Sequence, residues 1–207
     1  MDVKKPTRRR VGRTERERQI LDAATAVFTE RGYQAASMDA VAERVGVTKP
    51  VLYDHFGSKE GLLLASVART RQELLTETTK AVAGASEPED MVRRGFRAFF
   101  DFLDARAYAW TLLYEGAMNP VGTAGEAVDS IRNQHIDLIV GMIRLQAPDA
   151  DPRRLESYAH IIVGASERLA LWRNRRGDVS AADATEYLMD MIWTGMGGKW
   201  RERGAQQ

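Results

Sequence analysis

Apolar residues recur along most of the chain at intervals of three or four positions, which is the spacing of one face of an α-helix, and the alternation typical of strands is nearly absent. This pattern predicts an all-α protein. The first helix is expected over about 13–31, with Thr14 as its N-cap and Gly32 as its end. Its apolar stripe consists of Ile20, Ala24, Val27 and Phe28.

Two short helices are predicted next, on either side of a turn at Gly46. Ser37 can cap the first of them and Thr48 the second, and Pro50 is tolerated there because first-turn amides have no intrahelical acceptor. Leu52 and other apolar positions would pack the pair against the first helix. Two short helices joined by a glycine-containing turn have the layout of a helix-turn-helix.

The rest of the chain is also predicted to be helical. A long helix is expected from Ser58 to about Ala85, and stretches rich in proline and glycine separate several of the helices that follow. These later helices are expected over about 88–105, 108–118, 126–146, 153–175 and 180–203.

Three stretches of the N-terminal region together resemble the tetracycline-repressor (TetR) family of transcriptional regulators. They are Ala26–Tyr33, the helix-turn-helix Ser37–Phe56, and Leu52–Leu62. The match covers about residues 14–62, and beyond it the chain resembles the family only in length and helical layout.

The resemblance implies a fold with two parts: an N-terminal three-helix DNA-binding domain with a helix-turn-helix, and a C-terminal helical domain for ligand binding and dimerisation. The expected divisions are a basic, disordered arm over 1–13, the DNA-binding domain over 14–60, and the ligand-binding and dimerisation domain over 61–207.

The resemblance also implies which side chains contact DNA. Positions that face DNA in the family correspond to Lys49, Val51, Tyr53 and His55, and phosphate contacts correspond to Ser37, Thr48, Tyr53 and Lys59. Pro50 begins the same helix, and its ring could touch a thymine methyl. The alternatives are that Tyr53 is a core aromatic and that Lys49, His55 and Lys59 are only solvated surface residues.

Asp54 departs from the family pattern, which commonly has a neutral or basic residue at this position. A carboxylate beside DNA would repel phosphates, so we expect Asp54 to point away from DNA or to pair with a base such as Arg44. The departure leaves open which bases are read.

The first 13 residues carry six basic side chains against one acidic one, although the whole chain has a net charge of only +1. A basic arm of this kind is either a solvated tail or a contact for a polyanion. Beside a helix-turn-helix, Arg8, Arg9 and Arg10 are predicted to enter the minor groove or to follow the phosphates.

Aromatic and methionine side chains recur at helical spacing in the C-terminal part, where they form either plain core or the wall of a ligand pocket. The resemblance favours the pocket, with walls from Phe99, Trp110, Tyr114, Met118 and Met142. The predicted polar contacts are Glu115, His135 and Glu167, although His135 could equally be a satisfied core residue. Such a pocket suits a small-molecule effector that is bulky and apolar or cationic.

The last two helices are predicted to form a homodimer as a four-helix bundle, because each offers apolar and small positions; the alternative is that these faces pack within one chain. The residues are Ile161, Gly164, Ala165, Arg168 and Trp172 on one helix, and Tyr187, Leu188, Met191, Ile192 and Gly195 on the other. A symmetric dimer predicts a palindromic operator in double-stranded DNA.

The two recognition helices of a dimer must be spaced to fit the DNA. A ligand that binds preferentially to a conformation of the dimer with a different spacing would therefore release the DNA. The connecting lever would be the fourth helix, which begins near Lys59 and continues to the pocket wall. Repression is the usual sign of control in the family that the chain resembles.

Other classes of function are disfavoured. The chain has no cysteine, its histidines are His55, His135 and His160 without metal-binding spacing, and it has no glycine-rich phosphate loop, so neither an enzyme nor a cofactor nor a metal is expected. The low net charge argues against DNA binding without sequence preference. The sequence lacks an apolar signal, a membrane anchor and the run of about 20 apolar residues needed to cross a bilayer, so a cytoplasmic protein is expected.

Overall fold

The computed structural model describes residues 12–110, 112–113 and 123–194 of the 207-residue chain. Within these ranges all the regular elements are helices, which confirms the predicted all-α class. The chain divides into two compact units, the first ending at Ser66 and the second beginning at Val67. None of the described helices is both long and apolar enough to cross a lipid bilayer.

The first unit consists of α1 (Arg13–Ala35), α2 (Met38–Val45), α3 (Lys49–Phe56) and the beginning of α4 (Lys59–Val82). The apolar stripe predicted for the first helix is its core face, since all four residues are buried. The residues that fill this core include Ile20, Ala24, Val27, Phe28, Val41, Leu52 and Leu62.

The two ends of α1 differ from the prediction. Thr14 is not the N-cap: the helix begins two residues earlier than that cap implies, at Arg13, with Gly12 as N-cap and no side-chain cap, and the Gly12 carbonyl accepts from the Arg16 N–H at 2.9 Å. Gly32 does interrupt the helix, with a φ of 70° that few residues other than glycine adopt, but helical structure resumes and continues to Ala35.

Local capping explains why the helix-turn-helix forms where the sequence places it. The Ser37 Oγ accepts a hydrogen bond from the Ala40 N–H at 3.2 Å at the start of α2, and Gly46 ends α2 in the left-handed conformation with a φ of 74°. Thr48 is the N-cap of α3 by position, although its side chain makes no capping hydrogen bond. The Ser58 Oγ accepts from the Gly61 N–H at 2.9 Å as α4 begins.

The described part of the second unit contains the rest of α4 and the α-helices α5 (Pro88–Ala105), α6 (Ala107–Trp110), α7 (Thr123–Gln146), α8 (Pro152–Arg176) and α9 (Ala181–Leu188). Helix α5 packs against α9, and α7 packs against α8. Core residues of this unit include Phe96, Phe100, Phe102, Leu103, Leu112, Leu155, Ala159 and Leu188.

The last predicted helix is not a uniform α-helix. After α9 the backbone continues as a π-helical turn, Met189–Trp193, which the apolar spacing does not reveal because the turn widens by one residue without a change in residue type. The rest of the predicted range, 195–203, lies outside the described residues, as do 114–118 of the helix predicted over 108–118.

Candidate functional site

Helix α3 presents a polar face to solvent while a single leucine anchors it. Leu52 is completely buried, whereas Thr48, Lys49 and Pro50 at the start of the helix are exposed. Tyr53 is 44 % exposed and is therefore not a core aromatic within this unit. A helix can enter a major groove when its N-terminus is exposed and carries short or polar side chains, while a buried residue such as Leu52 holds it to the rest of the unit.

Lys49 is held by a carboxylate of the neighbouring helix. Its ammonium donates to Asp39 Oδ2 at 2.9 Å, and this hydrogen bond raises the pKa of Lys49 above its ordinary value. The side chain is therefore charged at neutral pH. Asp39 uses one of the three N–H donors of Lys49, so a phosphate or a base edge that approaches this lysine competes with the Asp39 carboxylate for its charge.

Lys59 is positioned by the end of α1. Its ammonium donates to the Gln34 carbonyl at 3.2 Å and lies 4.5 Å from the centroid of the Tyr33 ring. A lysine ammonium has three N–H donors, so one hydrogen bond to the protein leaves donors for a phosphate. The Ser37 hydroxyl likewise keeps its own hydrogen, because it acts as acceptor in the cap of α2.

Arg44 does not pair with Asp54, which was one of the two expectations for that carboxylate. Its guanidinium instead makes two hydrogen bonds of 2.8 Å to the Glu30 carboxylate, and this hydrogen bonding lowers the pKa of Glu30. This pair joins α2 to α1 and was missed from the sequence, where 14 residues separate the partners. Asp54 itself is exposed.

The predicted DNA contacts fall into two groups. Ser37, Thr48, Lys49, Pro50, Val51, Tyr53, His55 and Lys59 all lie in the first unit, on α2, α3 and their caps or at the start of α4. His55 and Val51 are half-buried, and the His55 ring centroid lies 5.9 Å from that of Phe56. Arg8, Arg9 and Arg10 lie outside the described residues.

The second unit contains a partly open cavity of about 120 Å³ between α4, α5, α7 and α8. Three of the predicted pocket residues, Phe99, Met142 and Glu167, line it. The backbone at Trp110 and His135 is helical but their side chains are not described, and the remaining predicted residues, Tyr114, Glu115 and Met118, lie outside the described residues. Other lining residues are Arg71, Leu74, Thr78, Val82, Met91, Val92, Gly95, Phe96, Ile139, Ile143, Ile162, Val163 and Ser166.

Charged side chains interrupt this largely apolar wall at one place. Glu167 Oε2 accepts from Arg132 Nη2 at 2.5 Å, while Glu167 Oε1 lies 3.8 Å from Arg71 Nη2. Burial raises the pKa of Glu167, although both arginines oppose that change. The Nε atoms of Arg71 and Arg132 are buried and have no hydrogen-bond partner within the described residues.

Sequence reasoning found Glu167 but not its partners. Arg71 occupies a position on the buried stripe of α4, four residues after Val67 and three before Leu74, both of which are buried. A charged residue on an apolar stripe is a signal that the sequence does contain. Arg132 gives no such signal, because its role depends on how α7 packs against α8.

Four large apolar side chains on the last two helices face solvent. They are Ile161, Trp172, Tyr187 and Met191, all members of the predicted dimer interface. Two other members, Leu188 and Ile192, are buried within the chain, so part of the predicted interface is internal core. Gly195 lies outside the described residues.

Both units match families of known proteins. Residues 20–66 match the model of bacterial regulatory proteins of the tetR family, and residues 88–195 match the model of a tetracyclin repressor-like C-terminal domain. The second match extends well beyond the region in which the sequence resemblance was specific.

Individual relatives agree with these families. The HTH-type transcriptional activator FasR of Mycolicibacterium smegmatis is 30% identical over 188 residues, which is 90% of this chain and 85% of that protein. A TetR-like transcriptional regulator from Rhodococcus sp. RHA1 has a similar structure, with a TM-score of 0.69, 30% identity, and coverage of 91% of this chain and 100% of that one.

A third similarity concerns the fold alone. The transcriptional regulator FadR from Bacillus subtilis, solved in complex with stearoyl-CoA, has a TM-score of 0.73 at 15% identity, covering 84% of this chain and 96% of that one. Identity at this level carries no information about which ligand this chain binds.

Proposed function

The chain belongs to the TetR family of bacterial DNA-binding transcriptional regulators, and we propose that it binds a palindromic operator as a homodimer and is released by a small molecule in the cavity of the second unit. Family membership makes it a regulator and not an enzyme. Regulators of this family bind DNA operators and small-molecule effectors and form dimers. The observation that carries the proposal is the exposed face of α3 above the buried Leu52.

Side chains on this face divide by the contacts that their chemistry allows. Lys49, Val51 and His55 are proposed to read base edges, because they lie on the helix that enters the groove. Ser37, Thr48 and Tyr53 carry hydroxyl groups, and these together with Lys59 are proposed to bind phosphates. Phosphate contacts of this kind fix the position of the helix on the duplex, while the base contacts give sequence preference.

A pair of matched variants tests the recognition face. The operator is first obtained by selecting bound DNA from a random pool, and an inverted repeat is expected among the selected sequences. Lys49→Met should then weaken binding to this operator about tenfold or more, because it removes a charged contact at the helix N-terminus. Lys80→Met is the control, since Lys80 is also exposed and paired with a carboxylate but lies late in α4. No enriched sequence, or equal binding by both variants, would refute the proposal.

The basic arm is proposed to add an electrostatic contact through Arg8, Arg9 and Arg10. Each phosphate neutralised contributes about 0.9 to the slope of log affinity against log salt concentration. Deletion of residues 2–12 should therefore lower operator affinity and flatten this slope. An unchanged slope would show that the arm is only solvated.

Dimerisation is proposed to bury the exposed apolar residues of α8, α9 and the π-helical turn. Met191 is 80 % exposed, and Leu145 on α7 is 82 % exposed and serves as a matched control. Met191→Glu should shift the protein to monomer in sedimentation velocity and abolish tight operator binding. Leu145→Glu should leave the dimer intact. The assignment fails if both variants remain dimeric.

The switch is proposed to act through α4, which begins at Lys59 and contributes Arg71 and Leu74 to the cavity wall. A ligand that prefers the form unable to bind DNA lowers operator affinity, and a useful coupling is roughly 1–3 kcal/mol. Coupling is reciprocal, so operator DNA must weaken ligand binding by the same factor. FasR is named an activator, so transcription from a promoter that carries the selected operator must be measured separately to determine the sign of control. Independent binding of ligand and operator would exclude the mechanism.

A further inference from the structure

We propose that Arg71 receives a carboxylate carried on an apolar tail, and that this acid is the class of molecule bound in the cavity of the second unit. The inference rests on the proposed function only for its biological role, because binding to the cavity can be measured without DNA. It departs from the sequence-based expectation of an effector that is bulky and apolar or cationic, because it keeps the apolar part and replaces the cationic head group with an anionic one.

Arg71 is the most deeply buried charged side chain on the cavity wall. Only 7 % of its surface is exposed, and the wall around it is formed mainly by apolar residues of α4, α5, α7 and α8. A guanidinium in such surroundings is stable only when its charge is paired and its N–H groups have acceptors. Its Nε has no acceptor within the described residues. Among the described residues, this donor of the site is therefore unused.

The neighbouring carboxylate does not satisfy Arg71. Glu167 makes its short hydrogen bond, of 2.5 Å, to Arg132, and its other oxygen is 3.8 Å from Arg71, which is too long for a hydrogen bond. A guanidinium binds a carboxylate best through two parallel N–H donors. A second carboxylate could thus bind Arg71 without displacing Glu167 from Arg132.

The charge of the cluster selects the sign of the ligand. Arg71 and Arg132 carry two positive charges against the single negative charge of Glu167, and Arg168 also acts on Glu167. An anion therefore neutralises the cluster, whereas a cation would increase a positive charge that is already in excess. The apolar wall beyond the cluster suits an uncharged tail.

The size of the cavity sets the scale of the probe. Its volume of about 120 Å³ is below the range of roughly 300–1,000 Å³ typical of drug-sized ligands, and an engineered apolar cavity of about 150 Å³ accommodates benzene. The cavity is partly open to solvent, so the head group and the first carbons of a flexible chain can lie inside it while the rest extends outward. A linear acid of medium length is therefore the appropriate test molecule. Octanoate, octan-1-ol and octylammonium are unbranched eight-carbon molecules whose head groups are anionic, neutral and cationic.

The first experiment uses the unmodified full-length protein without DNA. Isothermal titration calorimetry should show that octanoate binds at least tenfold more tightly than octan-1-ol and than octylammonium. Octanoyl-CoA is the fourth probe, because its acyl end is a neutral thioester. Equal or tighter binding of the alcohol, the amine or the thioester, relative to octanoate, would overturn the inference.

The second experiment assigns the preference to Arg71. Arg71→Met should lower octanoate affinity about tenfold and leave octan-1-ol affinity unchanged, while Glu167 keeps its hydrogen bond to Arg132. Glu167→Gln should instead raise octanoate affinity, because it removes the competing carboxylate. Arg97→Met is the control, since Arg97 on α5 is exposed and paired with Asp101. A purely structural role for Arg71 would lower binding of the acid and the alcohol alike, and this result would overturn the inference.

If Arg71→Met does not fold, the comparison of the four probes on the unmodified protein still tests the inference, because that comparison needs no variant. Operator release is measured separately with selected DNA. If octanoate binds through Arg71 but leaves DNA affinity unchanged, the inference holds and the proposed switch fails. If DNA responds to other molecules while octanoate does not bind, the switch holds and the inference fails.

Discussion

Gly61 is the residue at which a single methyl group should most directly disturb the recognition helix. An alanine Cβ at this position would lie 2.1 Å from the carbonyl oxygen of Phe56, where real contacts are essentially never under 3.0 Å. Phe56 is the last residue of α3, so the end of the recognition helix or the start of α4 must move by about 1 Å. Overpacking of this kind costs about 1–3 kcal/mol, against a gain of about 0.5–1 kcal/mol from replacing glycine in a helix.

We therefore expect Gly61→Ala to lower the free energy of unfolding by about 1–2 kcal/mol. For a chain of this length, each kcal/mol corresponds to a change in Tm of about 2–4 °C, which circular dichroism at 222 nm can resolve. Operator affinity should fall about tenfold, because the displaced helix carries the proposed base contacts. Fluorescence anisotropy with the selected operator measures this loss.

Gly141→Ala provides the matched control. Gly141 lies within α7, and an added Cβ would meet no other atom within 4 Å. The control should raise the free energy of unfolding by about 0.5–1 kcal/mol, since alanine restricts the unfolded chain more than glycine does. The reasoning is wrong if Gly61→Ala stabilises the protein as the control does, or if it leaves operator binding unchanged.

Three further predictions concern stability, each measured by urea unfolding. Ser37→Ala removes the side-chain cap of α2 and should cost about 1 kcal/mol, whereas no loss would mean that the cap contributes nothing. Leu52→Ala empties a fully buried site and should cost about 3 kcal/mol, and a cost below 1 kcal/mol would contradict its role as anchor. Tyr108→Phe removes a hydrogen bond of 2.7 Å to Glu73 and should cost about 1 kcal/mol near neutral pH. Burial, followed by this bond, raises the pKa of Tyr108 from 10.0 to about 12, so the folded chain holds the proton more tightly. The difference from wild type should be complete below pH 10 and shrink as the pH rises towards 12, and a constant difference would refute it.

The sequence predicts elements whose causes are local. Ser37 and Gly46 fix the limits of α2 through hydrogen bonds and backbone conformation within a few residues, so their identities suffice. The predicted N-cap at Thr14 was wrong. Its spacing to a glutamate resembles a capping box, but the first hydrogen bond of the helix is already accepted by the Gly12 carbonyl. The first turns of α1 have no side-chain cap, but they carry exposed ion pairs of Arg18 with Glu15 and with Asp22.

Interactions between distant positions were beyond sequence reasoning for a physical reason. The pairing of Arg71 with Glu167 depends on the relative placement of α4 and α8, and no residue near either one in the chain indicates it. The same holds for Arg44 and Glu30, whose pairing displaced the expected contact of Arg44 with Asp54. The exposure of Thr48, Lys49, Pro50 and Tyr53 could be predicted because they follow one short helix, whereas the lining of the cavity depends on the packing of four helices.

The ion pair between Lys49 and Asp39 has a consequence for thermodynamics at the operator. Binding of most cationic side chains to DNA is favoured by the release of condensed counterions, which is the source of salt sensitivity. Lys49 is already paired with an anion of the protein itself, so the proposed shift of Lys49 towards a phosphate would leave the Asp39 carboxylate less well paired close to the duplex. This repulsion would disfavour most strongly a complex with DNA of the wrong sequence. In such a complex the phosphate would lie farther from Lys49 than Asp39 did. In the proposed complex, Asp39 therefore competes with DNA for Lys49, and only DNA that binds this lysine closely can replace the carboxylate.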